Sequence, residues 1–189
     1  MNYQLYKKAR NKMLIKSFIF IFLILGLAVF STYKIYYKFQ STRDKISSSP
    51  ALTVTYHGKQ GENVKITKVI PVTDAVGLSS NAYKFTIKNN TGTKVKYRVV
   101  LKDDKEAYKK DSCLENKIPD NIIKVGIHIS GEVSKIYNLD DLEDRVLDTG
   151  VVSPQSEENY TVRFWISKNT VATENDMHFH GMLLVEEIN

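Results

Sequence analysis

Over most of the chain, apolar residues recur at every second position. In 82–88, Tyr83, Phe85 and Ile87 alternate with Lys84, Thr86 and Lys88, and in 94–102, Val95, Tyr97, Val99 and Leu101 alternate with Lys94, Lys96, Arg98 and Lys102. Residues 122–129 line up Ile123, Val125, Ile127 and Ile129, and 160–166 line up Tyr160, Val162, Phe164 and Ile166. A period of two is that of a β-strand with one face buried. Weaker alternation predicts strands at 52–57, at 63–72 with a bulge near Lys68, and at 178–188. A further short strand is expected at Val133–Tyr137 or Thr149–Val152. Only 139–147 has helical spacing, through Leu139, Leu142, Val146 and Leu147, and it is too short to anchor a helical fold. The link Asn89-Asn90-Thr91-Gly92-Thr93 between the two clearest strands has hairpin length and composition, which predicts that they pair. Seven or eight short strands joined by turns predict a mainly β domain over 51–189: an antiparallel β-sandwich, Ig-like or jelly-roll-like.

The N-terminal quarter follows another pattern. Phe18 to Phe30 is thirteen residues without a charge, and 13–33 is mostly apolar, interrupted by Lys16. At 1.5 Å per residue that stretch spans about 31 Å, close to the hydrocarbon thickness of a bilayer. Tyr3 and Tyr6 on one side, with Tyr33, Tyr36 and Tyr37 on the other, suit the two interfaces. The pattern predicts one transmembrane helix at 13–33 after a short cytoplasmic tail at 1–12, with the lipid bilayer as its partner. A cleaved signal peptide would need a small-x-small site after the apolar run. The one candidate, Gly26-Leu27-Ala28, lies inside it, so a retained anchor is favoured. Five basic residues precede the run (Lys7, Lys8, Arg10, Lys12, Lys16) and four follow it (Lys34, Lys38, Arg43, Lys45). That bias places the N-terminus in the cytoplasm and the C-terminal domain outside, in a single-pass cell-membrane topology. Residues 34–50 read as a stalk ending in the breaker Ser47-Ser48-Ser49-Pro50.

Charge changes the picture only when the chain is divided. The formal charge is +6, but residues 1–50 hold nine Lys/Arg against Asp44 alone, whereas 51–189 hold 18 against 20 acids. The basic excess belongs to the anchor segment, so it does not indicate nucleic acid. A single cysteine excludes a disulfide framework; Cys113, in a polar loop and exported under this topology, is a free thiol or an intermolecular bridge.

Candidate chemistry is sparse. The chain contains no G-x-S-x-G, H-E-x-x-H, Gly-rich phosphate loop or EF-hand spacing, so no enzyme and no cofactor is expected. His178 and His180 form an H-x-H whose rings project from one face of a strand and could share a metal. A third ligand (His57, His128 or Asp176) would have to arrive by folding, and two polar residues on a solvent face are the favoured reading. The acidic run Asp140, Asp141, Glu143, Asp144 and Asp148 lacks calcium-site spacing. Two interaction surfaces are candidates. If the strands pair, Lys84, Lys88, Lys94, Lys96, Arg98 and Lys102 form one cationic sheet face, suited to a polyanion or to blunting edge aggregation. Trp165, the only tryptophan, alternates with Phe164 and Ile166 and so faces outward beside Arg163, either covered by a loop or open to a partner.

The segments AYKFTIKNNTGTKVKYRVVL (82–101), VLDTGVVSPQSEENYTVRFWIS (146–167) and HFHGMLLVEEI (178–188) resemble small exported β-sandwich proteins of Gram-positive bacteria, the TasA/camelysin group of matrix and surface-fibre proteins. The shared features are an F-x-I-x-N strand (Phe85, Ile87, Asn89) running into a turn, and a G-x-x-x-P turn (Gly150, Pro154) before an aromatic-rich strand. The chain departs from that group in having no clean signal-peptidase site. The resemblance implies an extracytoplasmic, non-catalytic structural role. The expected function is a membrane-anchored, non-enzymatic surface protein whose sandwich mediates assembly with a protein partner or itself, or binds a surface. A membrane-bound structural component of a viral or cell-envelope complex is the alternative, and a membrane-tethered metal-dependent hydrolase using His178 and His180 trails both.

Overall fold

The computed structural model describes residues 45–113, 115–130, 132, 134–170 and 177–188, together with Met13, Lys16, Phe18, Phe22, Gly26, Phe30 and Thr32. The chain divides into two compact units, Met1–Arg43 and Asp44–Asn189. In the first, all seven described residues are helical, and the side chains of Met13, Phe18, Phe22 and Phe30 are exposed. Among the described residues, no helix is long and apolar enough to cross a membrane. The span expected at 13–33 otherwise lies outside the described residues, as do the tail at 1–12 and the flanking tyrosines.

The second unit is mainly β and sandwich-like, with two antiparallel sheets. One sheet runs in the order β1 (Lys45–Ser48), β2 (Leu52–His57), β5 (Tyr83–Asn89), β10 (Glu157–Ser167), β7 (Ile123–Ile129), β8 (Lys135–Asn138). The two-residue β4 (Pro71–Val72) joins it in parallel against the end of β10. The other sheet runs β3 (Asn63–Ile66), β11 (Phe179–Ile188), β6 (Val95–Asp103), β9 (Val146–Val152). The period of two becomes burial directly: on β5, Tyr83, Phe85 and Ile87 are buried, while Lys84 and Lys88 are exposed. One core fills the space between the sheets, taking Phe85, Ile87, Val125, Tyr160 and Val162 from the first and Val64, Tyr97, Leu101, Phe179 and Leu183 from the second.

Tyrosines tie the two layers together without leaving polar atoms stranded. Phe85 stacks on Tyr160 at 5.0 Å, and Tyr97 meets Tyr160 edge-on at 6.2 Å. The Tyr160 hydroxyl donates to Asp148 Oδ2 at 2.6 Å, and the Tyr97 hydroxyl lies 2.8 Å from it. Because the carboxylate only accepts, the proton order runs from Tyr97 to Tyr160 to Asp148. Burial pushes Tyr97 up to about 12, so both phenols stay neutral donors. The Tyr56 hydroxyl donates to the Leu183 carbonyl at 2.8 Å, another link between sheets.

Several elements differ from the sequence expectation. Strands 82–88 and 94–102 do not form a hairpin: β5 pairs with β2 and β10, whereas β6 pairs with β11 and β9. The five-residue link is an arch between sheets, so the two apolar faces oppose one another across the core. Asn89, fully buried, holds the arch. Its Oδ1 accepts from the Thr91 N–H and hydroxyl at 2.8 Å, and its Nδ2 faces the carbonyls of Thr93 (2.7 Å), Val152 (3.1 Å) and Ser153 (3.1 Å). Such an Asx turn replaces the backbone bond that a hairpin turn would make. The bulged strand expected at 63–72 is instead two strands in different sheets, β3 and β4. Residues 45–48, expected in the stalk, form β1 and give β2 an antiparallel backbone partner. The folded unit therefore begins before Ala51. The helical spacing of 139–147 resolves into two 3-10 turns, Leu139–Asp141 and Glu143–Arg145, ahead of β9. Two short helices went unforeseen: α1 (Asp74–Gly77), capped by Thr73, and α2 (Lys105–Lys110), capped by Asp104.

Candidate functional site

The arch divides the expected cationic face. Lys84 and Lys88 lie on the outer face of the first sheet, Lys96, Arg98 and Lys102 on that of the second, and Lys94 is exposed at the arch. Half of the six charges also face an acid. Lys88 sits opposite Glu157 in register, and Glu186 takes Arg98 at 2.7 Å and Lys102 at 2.5 Å. Hydrogen bonds from Lys102 and Arg98 hold the Glu186 carboxyl below its ordinary range. A single cationic patch spanning both strands is therefore replaced by two smaller, partly neutralised faces.

Trp165 does lie on the outer face of its sheet, but it is only 4% exposed. The segment carrying α1 covers it. The indole ring lies so close to Gly77 of α1 that a Cβ there would overlap it, and at Gly126 of β7 a Cβ would crowd both the ring and Leu78. Its Nε1 donates to Asp74 Oδ1 at 3.2 Å, and Lys124 bridges to the same carboxylate at 2.9 Å. Arg163 Nε donates to the Ser80 carbonyl at 3.2 Å, closing the far end of the cover. Of the two alternatives for Trp165, cover by a neighbouring segment is the one seen; Arg163 is half-buried, and its Nε helps to hold the 73–80 segment to the sheet.

His178 and His180 meet a partner that the sequence did not single out. Phe179 points into the core, so the two rings project from the outer face of the second sheet, as the H-x-H spacing predicts. That face is not open there, because α2 packs on β11 and covers it. His180 is 3% exposed, with the Tyr108 ring edge-on at 4.9 Å. The α2 C-terminus supplies the remaining cover through its local geometry. Ser112 adopts a left-handed φ of 52°, Cys113 N–H donates to the Tyr108 carbonyl at 3.1 Å, and Ser112 N–H donates to Lys109 at 3.3 Å. This is a Schellman ending without the usual glycine, and it folds Cys113 back against the helix. The loop after it runs alongside His178, whose N–H donates to Asn116 at 2.9 Å and whose carbonyl accepts from Ile118 at 2.8 Å.

The result is a compact trio. Cys113, His178 and His180 offer ligand atoms within 4.8 Å of one another. Cys113 is a free thiol, the first of the two alternatives expected for it, and is 4% exposed despite its polar sequence surroundings. His178 Nδ1 and His180 Nε2 are buried and make no hydrogen bond. Asp111 Oδ2 lies 3.4 Å from His180 Nε2 but misaligned for hydrogen bonding, and it is engaged by Lys65 at 2.5 Å. Burial, with Lys65 adding to it, pushes the His180 imidazole below its ordinary value and keeps it neutral. Of the third ligands expected for the H-x-H pair, His57 bonds Thr86 and His128 lies near Ser134, both in the other sheet. Asp176 lies outside the described residues. The acids at 140, 141, 143 and 144 are exposed.

An ion-pair network backs the trio. Arg145 grips Asp120 through Nε (2.6 Å) and a second guanidinium nitrogen (2.7 Å), and donates to Asp103 at 2.5 Å. Lys117 reaches the other Asp103 oxygen at 2.7 Å, and the Arg145 guanidinium sits 5.7 Å over the Phe179 ring. The network pins the loop carrying Cys113 to the end of β6. No protein-family model, curated protein or solved structure matches the chain.

Proposed function

We propose that this chain is a single-pass membrane-anchored surface protein that holds its β domain outside the cytoplasm for assembly or surface binding, without catalysis. The observation that carries the reading is the state of the N-terminal unit. Phe18 and Phe22 are helical and 64% and 70% exposed, within the thirteen-residue stretch that contains no charge. Large apolar side chains on a helix surface need an apolar environment, and a bilayer supplies one for the length of this run. The charge division supports the same topology, with the basic excess confined to the anchor and its flanks. The resemblance to exported sandwich proteins points to structural work for the domain.

The test uses intact cells expressing the full chain with a short epitope at its C-terminus. The chain is expected to resist alkaline carbonate extraction and to lose the epitope to external protease while the cells stay intact. An epitope protected until lysis, or a chain released by carbonate, refutes the anchor and its orientation.

A further inference from the structure

His178 Nδ1 and His180 Nε2 are buried without a hydrogen bond, and one nitrogen of each ring lies within 4.8 Å of the buried Cys113 sulfur and of the other; a buried polar atom left unanswered is costly. A cation shared by the three side chains would give both imidazoles a partner at once. We propose that Cys113, His178 and His180 bind one transition-metal ion of the zinc class. The donor set selects the ion: a thiolate with two imidazoles suits zinc and its neighbours, whereas calcium and magnesium demand oxygen. The spacing fits as well. Ligands about 2.0–2.3 Å from a shared tetrahedral ion stand about 3.3–3.8 Å apart, so side-chain rotations of about 1 Å close the observed trio. Asp111 approaches His180 Nε2 at 3.4 Å but is paired with Lys65 and lies outside the trio, so the fourth position is left to water. Binding forms the Cys113 sulfur–metal bond and displaces the thiol proton to solvent; nothing is oxidised.

The site would tie two distant parts of the chain together. Cys113 follows α2, His178 immediately precedes β11 and His180 is its second residue, so the ion would fasten the helix and its loop to the outer face of the second sheet.

The experiment uses the full chain in detergent, stripped with chelator under reductant and titrated with Co²⁺, then with Zn²⁺. One equivalent of Co²⁺ is expected to give a thiolate-to-cobalt charge-transfer band that stoichiometric Zn²⁺ abolishes. Cys113→Ser should remove the band, and His178→Gln should weaken Zn²⁺ binding by more than about 100-fold, beyond what losing an outer hydrogen-bond partner of a ligand costs. His178 is only partly buried, so its variant keeps the test alive if Cys113→Ser misfolds. Circular dichroism of the metal-free chains should be unchanged by His178→Gln. A cobalt spectrum without the thiolate band, or Zn²⁺ affinity unchanged in His178→Gln, overturns the proposal. Neither outcome bears on the anchor.

Discussion

Replacing Trp165 by alanine separates a covered tryptophan from an interface tryptophan. The ring is 4% exposed on the outer face of the seven-stranded sheet, beneath α1, and its Nε1 reaches Asp74. A buried indole takes roughly 200–250 Å² from water, worth about 5–6 kcal/mol at 25 cal/mol/Å² as an upper bound. Alanine at buried tryptophan sites costs about 3–5 kcal/mol, depending on how far the cavity collapses. Here the cover is a four-residue helix at the surface, which can settle towards the sheet, so the lower end applies. About 3 kcal/mol in a domain of this size lowers the melting temperature by about 6–12 °C. Trp165→Phe keeps most of the apolar contact and loses the bond to Asp74, so it should fall between alanine and wild type. The assay is thermal unfolding followed by circular dichroism, alongside sedimentation to read association. A midpoint within about 2 °C of wild type, together with lost association, refutes the covered-face reasoning and restores Trp165 as a contact residue.

Arg145→Ala should destabilise the domain by about 2–3 kcal/mol, because it strands Asp120 and half-strands Asp103, and Arg145→Lys should recover less than half, lacking the two-pronged grip. Burial alone would raise the Asp103 carboxyl, but hydrogen bonds from Lys117 and Arg145 outweigh it and hold it below its ordinary 3.8. A depressed carboxyl contributes stability above its unfolded value and loses it as pH falls through the folded one. Urea midpoints of wild type and Arg145→Ala should therefore converge below about pH 3.8, and a gap that stays constant with pH refutes the pairing. Asn89→Asp sets a carboxylate against three backbone carbonyls and should cost at least about 3 kcal/mol at neutral pH, partly regained in acid as the group protonates. Equal urea midpoints for Asn89→Asp and wild type at pH 7 would show that the arch does not depend on that side chain.

What the sequence determined by itself was the local periodicity and therefore the faces. Alternation placed β2, β5, β6, β7, β10 and β11 to within a few residues, because a half-buried strand must repeat every second position. It also put His178 and His180 on one face opposite Phe179, since strand geometry leaves no other choice. The divided charge and the apolar N-terminal run were equally local, needing only a count along the chain.

Tertiary structure decided which faces meet and what covers them. Alternation in 82–88 and 94–102 fits a hairpin or an arch equally well. The choice depended on Asn89 finding the carbonyls of Val152 and Ser153, which lie more than sixty residues away. Trp165 was legible as outward-facing but not as covered, because α1 is four residues long and carries no helical period of its own. Cys113 gave no sign of belonging with the H-x-H pair. It lies sixty-five residues before His178, and it reaches that pair through a left-handed Ser112 that no glycine announced. Period and charge act between neighbours and can be read along a line. The arch, the cover and the trio are contacts between residues far apart in the chain, which exist only once the two sheets have closed on their core.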